Sequence, residues 1–397
     1  GVGAYNDDGT LKDGATVVYV SKDNAKTVSA HLSSGTFTGL QAILNAYEKG
    51  NVTNPLDIRI LGILHKEDVD ALGSSVEGIQ LKGKQADSEM NITIEGIGED
   101  ACVYGFGFLV RNAKSVEFRN LGIMRAMDDG VSLDTDNSNI WIHHMDLFYG
   151  KPGSGDHIKG DGSIDIKTNS KWVTVDHCHF WDTGKTSMCG MKKESGPNYI
   201  TYHHNWFDHS DSRHARVRTM SVHLWNNYYD GCAKYGIGAT MGSSVFSESN
   251  YFRATKHPIL ISKQGSDAKG MGKFSGELGG MVKEFGSIFA EKGLGSEYTP
   301  ISYVDNHESF DFYQATTRRQ QVPSSVKALN GGSTYNNFDT DTLLMYRYSP
   351  DEAASVPAPV TGFYGAGRLN HGALRFKFNN AVEDSNSAPI PALEALI

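Results

Sequence analysis

The sequence predicts an all-β solenoid, a parallel β-helix, on three observations. Short alternating strands recur along the chain: ITIEG from Ile92, VEFRN from Val116, IWIHH from Ile140, VTVDH from Val173, ITYHH from Ile200, VHLWN from Val222 and VFSES from Val245. Successive starts lie 24, 24, 33, 27, 22 and 23 residues apart. One strand in phase per period of roughly 20–25 residues marks coils stacked on one another. Five residues after three of these starts stand Asn205, Asn227 and Asn250, each followed by two aromatic residues: Trp206-Phe207, Tyr228-Tyr229 and Tyr251-Phe252. Repeated amides and rings of this kind form ladders and stacks between in-register strands. The repeats are also Gly-punctuated, and no helical pattern within them is long enough for a helical or leucine-rich solenoid.

Taken in order, residues 1–35 are polar with Gly and Asp turns. TFTGLQAILNAYEKG then places Leu40, Ile43, Leu44 and Tyr47 at helical spacing, with Thr36 or Thr38 as the cap. A helix here would cover the exposed end of a stack. Residues 57–65 read as the first buried strand, and residues 91–125 as two regular coils. The widest interval falls within residues 126–190, where KPGSGDHIKGDG reads as a loop on one face. Residues 191–265 are regular again. Residues 266–300 form a Gly-rich excursion with a helical pattern around Met281 to Phe289, and from about residue 300 the period is lost. The expected organisation is one domain: a cap region over 1–55, regular coils over 56–265, and a long loop and C-terminal segment over 266–397 packed on the outside.

Asp and Glu number 46 against 37 Lys and Arg, a net charge of −9, so a generally basic nucleic-acid surface is excluded. There is no apolar run of membrane length. The opening GVGAYNDDG lacks the basic-then-apolar pattern of a signal peptide, and Gly1 is compatible with a processed N-terminus. Cys102, Cys178, Cys189 and Cys232 fit no metal motif and allow three complete pairings. Cys178 occupies the ladder position held elsewhere by Asn, which favours a buried thiol. Nothing in the sequence points to a partner chain, so a monomer is expected.

Chemistry concentrates between Asp161 and Arg218. Asp161 and Asp165 are four residues apart, and AMDDG upstream carries Asp128 and Asp129. Stacked coils could bring these carboxylates to one point, as a hard cation such as calcium requires, although Asp is also a common turn former. Asp134 and Asp136 fit turns better. The recurring His143-His144, His177 and His203-His204 suit hydrogen bonding beside a ladder, because neighbours on a strand point to opposite faces. Lys185 stands alone in WDTGKTSM. Arg213, Arg216 and Arg218 crowd into six residues of an acidic protein. Arginine grips carboxylates through paired hydrogen bonds, so a groove with a cation, Lys and Arg would suit a polymer bearing one carboxylate per unit.

At these residues the chain resembles the pectate lyases of polysaccharide lyase family 1. The matching pieces are IWIHH, DGSIDIK, the lysine of DTGKTSM, YHHNWF and RHARVR, with the likeness running from about residue 36 to 260 and a weaker echo in GFYGAGRL. The resemblance implies a right-handed parallel β-helix, secreted, that cleaves polygalacturonate by calcium-assisted β-elimination to 4,5-unsaturated oligogalacturonates. It implies calcium ligation by Asp129, Asp161 and Asp165, with Asp128 as the fallback for Asp129. It makes Arg213 the base, and Lys185 and Arg218 the grip on substrate carboxylates. Two positions depart from the family: Ala215 replaces the usual Pro, and His143 the usual Asp. Three other readings compete. They are a pectin lyase acting on methyl-esterified polymer, a β-helical hydrolase, and a non-catalytic carbohydrate-binding solenoid.

Overall fold

The computed structural model describes residues 1–72, 77–152, 158–191, 194, 196, 198–268, 274–291 and 299–397. They fall into two compact units. The first comprises Gly1–His179, Ala366–Lys377 and Pro389–Ile397, and the second Phe180–Gly365 and Phe378–Ala388. Each unit is a parallel β-helix whose coils build three parallel sheets among the described residues. No helix among the described residues is long and apolar enough to cross a membrane.

In the first unit one sheet runs Thr16–Val20, Leu56–Ile60, Ser88–Gly96, Ala113–Arg119, Ser138–His143 and Lys171–Asp176. The second sheet holds Ile63–His65, Cys102–Tyr104, Gly122–Met124 and Asp146–Phe148, and the third Gly78–Lys82, Gly107–Arg111, Val131–Thr135 and Ile164–Ile166. The register is the one that the repeat predicts: Ile92 pairs with Val116, Val116 with Ile140, and Ile140 with Val173. All four are buried, so one side of each strand stacks apolar side chains through the coil interior. The stack starts earlier than residue 57, however. Thr16–Val20 pairs along Leu56–Ile60, and residues 57–65 form two strands that turn at Gly62 (φ 65°).

The expected helix is present at Leu40–Glu48, with Leu40, Ile43, Leu44 and Tyr47 buried. It lies on Gly78–Lys82, the edge strand of the third sheet, where Gln41 exchanges hydrogen bonds with the Gln80 backbone at 2.8 and 2.9 Å. An uncovered edge there would invite pairing with other chains. The cap is not Thr36 or Thr38, which sit in the hairpin strand Gly35–Thr38. Asp70 supplies it, accepting from the Gln41 and Ala42 amides at 2.9 and 3.1 Å. A carboxylate suits the positive end of the helix dipole, and the fold delivers one from far along the chain.

In the second unit the corresponding sheets are Ile200–His203, Ser221–Trp225, Ser244–Glu248, Met281–Phe285 and Tyr313–Gln314; His179–Trp181, Trp206–Asp208, Tyr228–Asp230, Tyr251–Arg253 and Ile288–Phe289; and Lys185–Cys189, Ser212–Arg218, Ile237–Thr240 and Ile259–Ile261. The asparagine ladder is continuous. Asn205 donates to Asn227 Oδ1 at 3.0 Å, Asn227 to Asn250 Oδ1 at 3.2 Å, and Asn227 and Asn250 also donate to Tyr202 O and Leu224 O. Of each aromatic pair, Phe207, Tyr229 and Phe252 stack inside, whereas Trp206, Tyr228 and Tyr251 pack outside against Val356 and Val360. Alternation along a strand separates them.

Three expectations need correction or completion. The pattern around Met281 to Phe289 is not helical; it forms the strands Met281–Phe285 and Ile288–Phe289, because Val282 continues the apolar register of Val245. The loop KPGSGDHIKGDG lies partly outside the described residues. The His-His pairs have a backbone reason: His143 and His203 end strands, while His144, His177 and His204 take left-handed bends at φ 49–52°. His and Asn enter that region more readily than most residues.

Segments of the tail bond to the coils of each unit. In the first unit His371 bonds Asp146 at 3.1 Å, over Gly122, where a Cβ would lie 2.7 Å from the imidazole. In the second unit the Tyr346 hydroxyl meets Thr201, His223 and Trp225 at 2.7–3.1 Å. Residues 378–388 dock through charge. Buried His209 bridges Asp208 at 2.6 Å and Asp384 at 2.9 Å, and Arg253 joins Asp384 to Asp230. The Cys178 thiol, like the other three cysteines, is buried and outside any disulfide. It reaches Ile142 O at 3.7 Å, in the manner of the ladder asparagines.

Two outcomes follow from these contacts. Asn227→Ala orphans buried groups on two coils and should cost about 3 kcal/mol in urea-induced unfolding. His209 resists the burial that would neutralise it: Asp208 and Asp384 raise its pKa to about 10. A raised histidine stabilises fully below its unfolded value of about 6.5 and loses that contribution as pH climbs through the folded value. Thermal melts should therefore show wild type converging on His209→Gln above about pH 10, with a clear gap at neutral pH.

Candidate active site

The acidic cluster lies within the first unit. Asp128 and Asp129 precede the strand Val131–Thr135, and Asp161 precedes Ile164–Ile166. Backbone bonds from Gly130 to Gly162 and from Val131 to Ser163 lock these approaches side by side at 2.9 and 2.8 Å. The Gly162 amide then donates to both Asp129 Oδ1 and Asp161 Oδ1, at 3.1 and 3.0 Å. Carboxylate oxygens of Asp128, Asp129 and Asp161 lie within 4.8 Å of one another. Asp165 pairs in register with Ser132 one strand over and stands against Gly162, where a Cβ would fall 2.5 Å from its Oδ1. It is not among the three converging oxygens.

Lys167 Nζ enters this cluster, 2.6 Å from Asp129 Oδ2 and 3.1 Å from Ser132 Oγ. Burial opposes its charge, but Asp165, Asp129 and Asp128 hold its pKa above the ordinary lysine range. Burial and the neighbouring Asp161 and Asp129 push the Asp128 carboxyl up to about 7. An acid whose ionisation is opposed by its neighbours despite a nearby ammonium marks a field short of positive charge. The cluster's oxygen donors are the type that a hard divalent cation takes. Lys167 was not singled out from the sequence, though its place two residues after Asp165 put both on one face of the strand.

The basic cluster lies within the second unit. Strand Ser212–Arg218 runs between Lys185–Cys189 and Ile237–Thr240. Strict alternation would send Arg213 to the face opposite Arg216 and Arg218. A register shift prevents this: Ser187 pairs with His214 but Met188 with Arg216, so Ala215 is the extra residue of a bulge. Arg213 takes φ 66°, the peptide between His214 and Ala215 is cis, and all three arginines emerge half-buried. His214, Ala215 and Val217 fill the interior. Burial pulls the His214 pKa down to about 4, leaving a neutral imidazole on Tyr235 O at 2.9 Å.

Arg218 gives its Nε to both oxygens of Glu277, at 2.9 and 3.0 Å, and Arg216 Nη2 reaches Glu277 and Ser275 at 3.1 Å. Met188 Sδ lies 2.8 Å from Arg218 Nη1 and 4.0 Å from Arg213 Nη1. Burial, together with Arg218 and Arg213 alongside, lowers the Arg216 pKa. Arg213 also acts on the buried Tyr235 hydroxyl. Lys185 opens its strand opposite Ser212, partly exposed. Glu277, Met188 and Tyr235 carried no sequence signal. Of the two departures, Ala215 occupies the bulge, and His143 bonds Glu117 at 2.8 Å in a buried pair.

The class this defines is the parallel β-helix proteins, here with an aspartate cluster in one unit and an arginine cluster in the other. Comparison with known proteins agrees. The family model for pectate lyase matches residues 42–293, and the chain belongs to the pectate lyase family. The pectate trisaccharide-lyase of Bacillus licheniformis is 27% identical over 229 residues, covering 57% of this chain and 64% of that protein. The chain thus spans a little under two thirds of that relative's length. Among solved structures, pectate lyase Bsp165PelA from Bacillus sp. N165 in complex with trigalacturonate is similar with a TM-score of 0.58. It is 20% identical, over 89% of this chain and 94% of that one. Pectate lyase C from Erwinia chrysanthemi, with Ca2+, gives 0.56 at 21% identity, over 91% and 95%. At these identities the structures speak for the fold alone.

Proposed function

We propose that the protein is a secreted, calcium-dependent pectate lyase that cleaves α-1,4-linked polygalacturonate by β-elimination, releasing 4,5-unsaturated oligogalacturonates, and that it acts as a monomer. The observation that carries this reading is the convergence of Asp128, Asp129 and Asp161 within 4.8 Å in a member of this family. Related proteins described with trigalacturonate and with Ca2+ support the same substrate and ion.

In this reading Asp129, Asp161 and Asp165, with Asp128, hold calcium. Bound calcium would neutralise the uronate carboxylate and stabilise the enolate-like charge that develops beside it. Lys185 and Arg218 grip substrate carboxylates. Arg213 removes the proton on the carbon next to the carboxylate. The electron pair left behind forms the double bond as the glycosidic oxygen departs. Free guanidines are charged near neutral pH, and their proton-accepting neutral fraction grows as pH rises. A glycosidase would instead need a carboxylic acid paired with a carboxylate across the bond.

Polygalacturonate should yield product absorbing in the near ultraviolet, abolished by chelator and restored by calcium. Saturated products would indicate hydrolysis, and chelator-resistant cleavage of methyl-esterified polymer a pectin lyase. Asp165→Asn should raise the calcium needed for half-maximal rate by about tenfold, the scale of one charged ligand contact. Arg213→Lys should keep substrate affinity and lose nearly all turnover, and wild-type rate should rise toward alkaline pH. A flat profile from about pH 6 to 10 would remove Arg213 as the base, since the neutral fraction of a guanidine grows across that range.

A further inference from the structure

Glu277 lies outside the motifs that carry the family resemblance, yet among the described residues it is the carboxylate bonded to both Arg216 and Arg218. Both oxygens converge on Arg218 Nε, and one also takes Arg216 Nη2. Arg216 and Arg218 are two apart on one strand, so their side chains share a face, and Glu277 sits between two like charges. Its pKa is driven down to about 2 against the effect of burial, by Arg218 and then Arg216, so it is anionic at any working pH.

The backbone behind it is tied down. The fully buried Ser262 donates to Ser275 O and Glu277 O at 2.9 and 2.6 Å, and the Glu277 amide donates to Ser275 Oγ at 3.0 Å. That same Ser275 hydroxyl accepts from Arg216 Nη2 at 3.1 Å. Gly238, paired with Arg216, leaves room for the Phe274 ring that opens this segment: a Cβ there would fall 2.6 Å from it. A carboxylate anchored in this way is built to stay.

We propose that Glu277 is a positioning residue that holds Arg218, together with Arg216, in the orientation that receives a substrate carboxylate. The proposal rests on the reading of Arg218 as a carboxylate grip. Glu277 occupies the Nε side of that guanidinium. Among the described residues Arg218 Nη1 meets the weak acceptor Met188 Sδ, so the Nη1–Nη2 fork can form the paired contact that arginine makes with carboxylates. A counter-ion competing with substrate would be expected to take the fork itself.

The test compares wild type, Glu277→Ala, Glu277→Gln, Arg218→Ala and the Arg218→Ala/Glu277→Ala double variant. Polygalacturonate affinity is read by calorimetry, turnover by ultraviolet absorbance and folding by thermal melting. Glu277→Ala should weaken affinity and raise KM by about tenfold, the scale of one charged hydrogen bond, with kcat changed less. Glu277→Gln, which keeps an oxygen for Arg218, should retain part of the affinity, and it decides the matter if the alanine variant melts early. The double variant should be no weaker than Arg218→Ala alone. Unchanged or tighter binding by a folded Glu277 variant overturns the positioning role. Wild type that binds polymer without releasing unsaturated product removes the lyase reading and leaves the affinity comparison to decide on Glu277. Wild type that does neither removes both.

Discussion

Everything in each unit depends on coils lying in register. The coils are short, and a strand of three to six residues has no core of its own; its apolar side chains are buried only because the same positions above and below carry apolar side chains too. The amide ladder through Asn205, Asn227 and Asn250 makes this register specific. Each side chain satisfies buried donors on its neighbour, so a slip by one residue would leave several polar groups unpaired at once. The thiol of Cys178 shows that the position tolerates a weaker donor when the apolar stack on either side is intact.

Register also concentrates charge. Residues far apart in sequence become neighbours at a spacing of about 4.8 Å between strands, and that spacing is too short for like charges to ignore one another. Both clusters contain partial relief. Lys167 stands among the aspartates, and Glu277 stands among the arginines. In neither does relief cancel the field: Asp128 still titrates near neutrality, and Arg216 is still pulled down. A residual field of this kind is set by strand geometry before any ligand arrives.

How far the sequence could be read differs from one element to the next. The stacked positions Ile92, Val116, Ile140 and Val173 were legible because their spacing in the chain matches their pairing in the sheet. The helix over Leu40–Glu48 was legible from its apolar face, but its cap was not, since Asp70 arrives from another turn of chain. Met281 to Phe289 misled because a short apolar run fits helix and strand alike. Lys167 could have been found by the alternation rule, two residues after Asp165. Arg213 could be named from the motif, but its placement beside Arg216 and Arg218 needed a bulge that no spacing reveals.

The sequence by itself determined the repeat, the ladder, the sign of each cluster and the family to which the motifs belong. These are properties of periodicity and residue type, and they survive without coordinates. Tertiary structure decided which atoms meet. It drew Asp128 to Asp129 and Asp161, turned Arg213 outward at Ala215, and brought Glu277 to Arg218 from fifty-nine residues away. The reason is physical: side-chain direction and register depend on bulges, left-handed bends and crossings whose cost is shared over many residues, so no single residue type announces them.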